Sequence, residues 1–138
     1  MMTINDIKRV TQESSMLFVE DDNDLRENTE NIFKHLFKNV YIANDGEAGL
    51  QVYKQFHQDN RINFDLIVTD IVMPNMDGIE MIKEILENNP AQKIIVYSAN
   101  NEKEFLVELN DIGVVGFFRK PIDMDELITI FNKICTHQ

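Results

Sequence analysis

Glu20-Asp21-Asp22-Asn23-Asp24 puts four carboxylates and one amide directly behind the apolar run Met16 to Val19. Carboxylates this crowded repel one another and raise each other's pKa unless a cation compensates. Hard oxygen ligands of this kind suit Mg²⁺, which keeps several waters and takes one or two carboxylates plus phosphate oxygens. The same acids could equally cap the helix that follows and favour its positive end, and Asp22 to Asp24 need do no more. A further carboxylate, Asp70, closes the run Phe64 to Thr69 within Val68-Thr69-Asp70-Ile71-Val72-Met73-Pro74. Alone it would read as a cap or turn residue. If the two apolar runs are neighbouring strands, Asp70 faces Glu20 and Asp21, and three acids in one small cavity demand a cation. Ser98 follows the run Lys93 to Tyr97, and Lys120 follows Gly116 to Phe118 and precedes Pro121. Each is ordinary by itself. Brought to one edge, a hydroxyl and an ammonium supply a hydrogen-bond donor and a point charge for an anion attached to Asp70.

Such a meeting needs a fold that gathers strand ends. The runs Met16 to Val19 and Phe64 to Thr69 end in acidic residues and carry no polar alternation, as strands buried on both faces should. Val40 to Ala43, Lys93 to Tyr97 and Gly116 to Phe118 share this look. Between and after them, apolar residues recur at helical spacing: Leu25, Ile32, Phe33, Leu36 and Phe37; Leu50, Tyr53 and Phe56; Ile79, Ile82, Ile85 and Leu86. Phe105, Leu106 and Leu109, then Leu127, Phe131 and Ile134, continue the pattern. Asn44-Asp45-Gly46, Asp77-Gly78 and Asn88-Asn89-Pro90 are turn or stop signals where the periodicity changes. Right-handed crossovers between the strands then give an α/β fold, a doubly wound five-stranded parallel sheet with helices on both faces. Ligands of such sheets bind beyond the carboxyl ends of the strands, at the switch point.

Residues 15–138 read as one domain, since no repeat, low-complexity tract or linker divides them. Residues 1–14 form a lead-in, in which Ile4, Ile7 and Val10 could make a short helix as readily as a loose polar arm. Thirteen basic against twenty-four acidic residues give a net charge of −11, which repels nucleic-acid phosphates and anionic lipid surfaces. No apolar run approaches the roughly 18 residues that span a bilayer. The start, MMTINDIKRV, lacks the basic and apolar segments of a secretory signal, so the expected location is the cytoplasm. The single cysteine, Cys135, has no partner within the chain and falls at helical spacing in an apolar stretch.

Glu20-Asp21, Asp70 with Met73-Pro74-Asn75-Met76-Asp77-Gly78, Ser98-Ala99 and Lys120-Pro121 are four separated motifs, a more specific signal than any one. Over about residues 15 to 136 the chain resembles the receiver domain of bacterial two-component response regulators, of which the single-domain chemotaxis regulator is the simplest kind. The resemblance implies the flavodoxin-like strand order 2-1-3-4-5, a phosphoacceptor role for Asp70, and Mg²⁺ binding by Glu20, Asp21, Asp70 and the backbone carbonyl of Val72. It implies phosphoryl contacts from Ser98 and Lys120, and a cis peptide before Pro121 that aims the lysine. Ser98 and Phe117 would couple the phosphoryl group to an output face spanning roughly Asn101 to Lys133. Phe117 stands where the family frequently has tyrosine, and its ring could turn inward with no phenol to satisfy. Val72 and Asn100 would flank the path of a hydrolysing water. The implied donor is a histidine kinase or phosphotransfer protein. The output is a downstream protein partner, a fused output domain or a phosphorylation-dependent homodimer, without direct nucleic-acid or membrane binding. Beyond self-phosphorylation and self-dephosphorylation, no enzyme activity is implied. The chemistry agrees, because a carboxylate can attack phosphorus and form an acyl phosphate, and phosphoryl transfer rests mainly on positioning and charge stabilisation.

Three rival readings share parts of this pattern. A Mg²⁺-dependent phosphohydrolase acting through an aspartyl phosphate would usually carry D-x-D behind its first strand and need a cap over its substrate. A flavodoxin-type nucleotide binder needs a glycine- or hydroxyl-rich loop where this chain has acids. A phosphorylation-independent interaction module would keep the fold but have no use for the acids, hydroxyl and lysine together.

Overall fold

The apolar runs become five parallel strands: β1 (Ser15–Val19), β2 (Asn39–Ala43), β3 (Leu66–Thr69), β4 (Ile94–Ser98) and β5 (Gly116–Arg119). In this computed structural model they form one sheet in the order β2-β1-β3-β4-β5, as the resemblance implies. The structure describes residues 5, 11–98, 103–120 and 123–136. Five helices connect or follow the strands: α1 (Asn23–Leu36), α2 (Gly46–Asn60), α3 (Gly78–Asn88), α4 (Lys103–Ile112) and α5 (Met124–Thr136). Three begin at an aspartate that accepts a hydrogen bond from a backbone N–H of the first turn: Asp22 from Leu25, Asp45 from Ala48 and Asp77 from Glu80. Such a cap stabilises its helix by about 1 kcal/mol. Asp22 therefore takes the plain role that its position allowed.

Alternation along the strands divides the core into two layers. Leu17, Val19, Ile67 and Val96 pack against Leu50, Ile82 and Leu109 of α2, α3 and α4. Phe18, Val68, Tyr97 and Phe118 face the other way, onto Phe33 of α1 and Phe131 of α5. β1 and β3 are buried along their whole length, as unbroken apolar runs should be. β2 departs from that expectation, with Tyr41 and Ile42 each 40% exposed. It is an edge strand, paired only with β1, and apolar composition does not tell an edge from a centre. Tyr41 keeps part of its ring covered by lying edge-on to Phe56 and Phe64, at centroid distances of 5.2 and 5.4 Å.

Ahead of β1, the buried Thr11 hydroxyl donates to the Leu36 carbonyl, and the Ser14 carbonyl accepts from the Lys38 N–H at 3.0 Å. Ile4, Ile7 and Val10 lie outside the described residues, as does the Cys135 side chain. Among the described residues, no helix is long and apolar enough to cross a membrane.

Candidate functional site

The site begins with register. Val19 of β1 pairs with Thr69 of β3 at the ends of the two strands, and an acid follows each directly. Glu20 N–H donates to the Ala43 carbonyl and Asp70 N–H to the Val19 carbonyl, both at 3.1 Å, so the sheet itself sets these two acids side by side. Glu20 is fully buried, and Asp70 is 8% exposed. With the exposed Asp21, they bring three carboxylate oxygens within 4.8 Å of one another. Lys120, the residue after β5, reaches between them. Its ammonium donates to Asp70 Oδ2 at 2.7 Å and forms an ion pair with Glu20 Oε1.

The remaining bonds fix these groups individually. Glu20 Oε2 accepts from Asp22 N–H at 3.1 Å, and Asp70 Oδ1 accepts from Ile71 N–H at 2.7 Å. Arg26, one turn into α1, donates to the Glu20 carbonyl at 3.0 Å and to Asn23 Oδ1 at 2.7 Å. Burial pushes the Glu20 carboxyl above its usual range, against the lowering pull of the Lys120 ammonium and the Asp22 N–H. Burial alone would lower the Lys120 pKa, but its bonds to Asp70 and Glu20 outweigh it and hold the ammonium above the usual range. Two acids held around one lysine, with a third at the rim, leave the pocket short of positive charge. Glu20 Oε1 already faces the Lys120 ammonium, and it is buried beside two more carboxylates. Three carboxylates that share one ammonium fit a hard divalent cation.

Each of the other sequence candidates has a definite place. Val72 follows in the loop from Asp70 to Asp77, its side chain 66% exposed. Ser98 ends β4 rather than following it, in register with Arg119. The Ser98 side chain, Asn100 and Pro121 lie outside the described residues, and with them the expected cis peptide. Phe117 is half-buried, packs against the α2-α3-α4 layer and lines a groove with Val107, Asn110, Val115 and Gly116. Phe118 is buried in the opposite layer, so one phenylalanine of the pair is plain core.

Sequence reasoning missed a latch beneath the loop. Asn75 adopts a left-handed backbone, φ 67°, and its amide donates to Asp45 Oδ2 at 2.7 Å. The Gly46 N–H donates to the Met76 carbonyl at 2.9 Å, fastening the same loop to the start of α2. Asp45-Gly46 reads as a turn signal in sequence, and nothing there points to a partner thirty residues away. The Ala48 N–H, then the Asn75 amide, hold the Asp45 carboxyl below its ordinary 3.8. A depressed folded pKa means that this stabilisation is complete above 3.8 and is lost as pH falls through the folded value. Asp45→Ala should therefore lower stability by about 1 kcal/mol at neutral pH, with the gap to wild type narrowing in acid. Denaturant unfolding across pH checks this; a gap that stays constant into strong acid would show that the charge plays no part.

Comparison with known proteins places the chain as a whole. A family model described as the response regulator receiver domain matches residues 16–132. The chain is 33% identical over 92 residues to the chemotaxis protein CheY of Thermotoga maritima, covering 67% of this chain and 72% of that one. To the probable transcriptional regulator ycf29 of Pyropia yezoensis it is 36% identical over 98 residues, covering 70% of this chain. The match takes in 41% of that regulator, so the chain spans less than half of its length. Among solved structures, the CheX-CheY-BeF3-Mg complex from Borrelia burgdorferi superposes with a TM-score of 0.81 at 25% identity, covering 92% of this chain and 96% of that one.

Proposed function

Because this chain belongs to the response regulator receiver domain family of two-component signalling, we propose that it is a phosphoacceptor switch with Asp70 as the acceptor. That family is one of signalling domains rather than catalytic enzymes. The observation that carries the reading is the Asp70 carboxylate, held 2.7 Å from Lys120 among three gathered acids. In the reaction a carboxylate oxygen of Asp70 attacks phosphorus, and the bond from phosphorus to the donor breaks. The donor is the phosphohistidine of a histidine kinase or phosphotransfer protein. Glu20, Asp21, Asp70 and the Val72 carbonyl would hold Mg²⁺, which when bound supplies positive charge against the phosphoryl oxygens. Lys120 supplies a second positive charge and Ser98 a donor. The nucleophile is already a carboxylate, so no general base is needed.

Ser98 and Phe117 would carry the change to the face formed by α4, β5 and α5, where a downstream partner or a fused output domain docks. The groove beside Phe117, with Val107 70% exposed, is an apolar part of that face. Intact-mass analysis after acetyl phosphate treatment tests the assignment: one phosphoryl group is expected, abolished by EDTA and by Asp70→Asn. Undiminished labelling of the variant would refute it.

The phosphorylated form should decay slowly for a receiver domain. Hydrolysis needs a water aligned behind phosphorus, and the Val72 side chain next to the acceptor offers no hydrogen bond to hold one. Val72→Asn should speed decay severalfold at saturating Mg²⁺. Asn100→Glu should do the same by giving the water a proton acceptor. Unchanged lifetimes in both variants would place control of hydrolysis elsewhere.

A further inference from the structure

Tyr97 is a large polar residue in a place where a central strand calls only for apolar bulk. It is fully buried in β4. Phe18 and Phe118 meet its ring at centroid distances of 5.8 and 6.4 Å, at angles of 67° and 86°. The phenol does not reach solvent. It pairs instead with the Thr29 hydroxyl of α1 at 3.3 Å, and Thr29 is itself buried. Burial pushes the phenol pKa up, so the hydroxyl stays protonated beside Thr29. Over that face lies the Lys120 ammonium, 5.0 Å from the ring centroid.

Lys120 is held from two sides at once. Asp70 and Glu20 draw the ammonium by charge, and the Tyr97 ring attracts it through its quadrupole. The carboxylate contacts must change when a phosphoryl group arrives on Asp70, because the ammonium then has phosphoryl oxygens to meet. The ring contact can persist, since the ring face attracts a cation anywhere within about 6 Å of its centroid. Two aromatic edges and the Thr29 bond keep the platform from tilting.

We propose that Tyr97, fixed by Thr29, is a positioning residue for phosphorylation, whose ring face carries the Lys120 ammonium towards the phosphoryl group on Asp70. The inference rests on the reading of Asp70 as acceptor and goes beyond it by assigning a residue outside the acid, hydroxyl and lysine set. It acts through Lys120 alone, and that sets its test.

The rate of labelling by acetyl phosphate and the affinity for beryllofluoride are measured at saturating Mg²⁺, with the affinity for Mg²⁺ alone as a separate readout. Tyr97→Leu should label about tenfold more slowly and bind beryllofluoride correspondingly less well, with Mg²⁺ affinity unchanged. Tyr97→Phe keeps the ring face and should retain most of the rate. In a Lys120→Met background, Tyr97→Leu should add nothing. If Tyr97→Leu folds poorly, replacement of Tyr97 by phenylalanines of increasing fluorine content keeps the shape and drains the ring face. Labelling should then fall stepwise with fluorination, which a packing role would not produce. Wild-type labelling that survives Asp70→Asn would overturn the acceptor reading and this inference with it. Normal Asp70-dependent labelling overturns the inference alone under any of three results: Tyr97→Leu is unimpaired, its effect persists in full without Lys120, or the fluorinated series is flat.

Discussion

Lys120→Met is expected to cost the metal-free protein about 3 kcal/mol and to lower its melting temperature by roughly 10 °C. Lys120 is the cation between a fully buried Glu20 and a nearly buried Asp70, with the lysine side chain itself 11% exposed. Removing one member of a buried ionic group leaves the others without compensation, which costs far more than losing a surface pair. The penalty is bounded because Glu20, already pushed towards its neutral form by burial, can take up a proton. The same variant should bind Mg²⁺ more tightly than wild type, because the ammonium no longer competes for the two carboxylates. Saturating Mg²⁺ should then recover much of the lost stability by binding the native state. Thermal melts with and without Mg²⁺ decide the matter. Equal melting temperatures for variant and wild type without metal would mean that the lysine does not hold the acids together.

Gly78→Ala is expected to destabilise the protein by about 3 kcal/mol or more and to impair labelling of Asp70. Helix propensity alone predicts the opposite sign, since alanine is better than glycine by about 1 kcal/mol inside a helix. Packing decides. A Cβ on Gly78 would stand 2.0 Å from the Asp70 carbonyl oxygen and 3.0 Å from the Ile71 Cα, both backbone atoms with nowhere to yield. The Gly78 N–H donates to the Ile71 carbonyl at 2.7 Å, so the start of α3 is pressed directly onto the segment that carries Asp70. An added methyl must lift α3 or displace that segment. Denaturant unfolding together with acetyl phosphate labelling reads both consequences. Wild-type stability in the variant would show that the close approach relaxes at little cost.

The sequence by itself determined the parts whose signals are local. Unbroken apolar runs followed by acids marked β1 and β3 because a strand buried on both faces leaves no room for polar alternation. Asn44-Asp45-Gly46 and Asp77-Gly78 marked breaks in the periodicity because short polar side chains and glycine suit turns, and Asp45 and Asp77 prove to cap the helices that follow. The acids Glu20, Asp21 and Asp70 were legible for the same reason, as chemistry attached to the ends of recognisable strands. Tertiary structure alone decided what those ends meet. Only the pairing of Val19 with Thr69 brings Glu20 to Asp70, and only the position of β2 at the sheet edge exposes Tyr41 and Ile42. Lys120 read as a charge awaiting an anion on Asp70, whereas in the folded chain it stands between Glu20 and Asp70. Asn75 on Asp45 and Thr29 on Tyr97 join residues 30 and 68 positions apart. Periodicity and capping report on a few neighbouring residues, whereas such contacts depend on strand register and on which face each crossover helix covers.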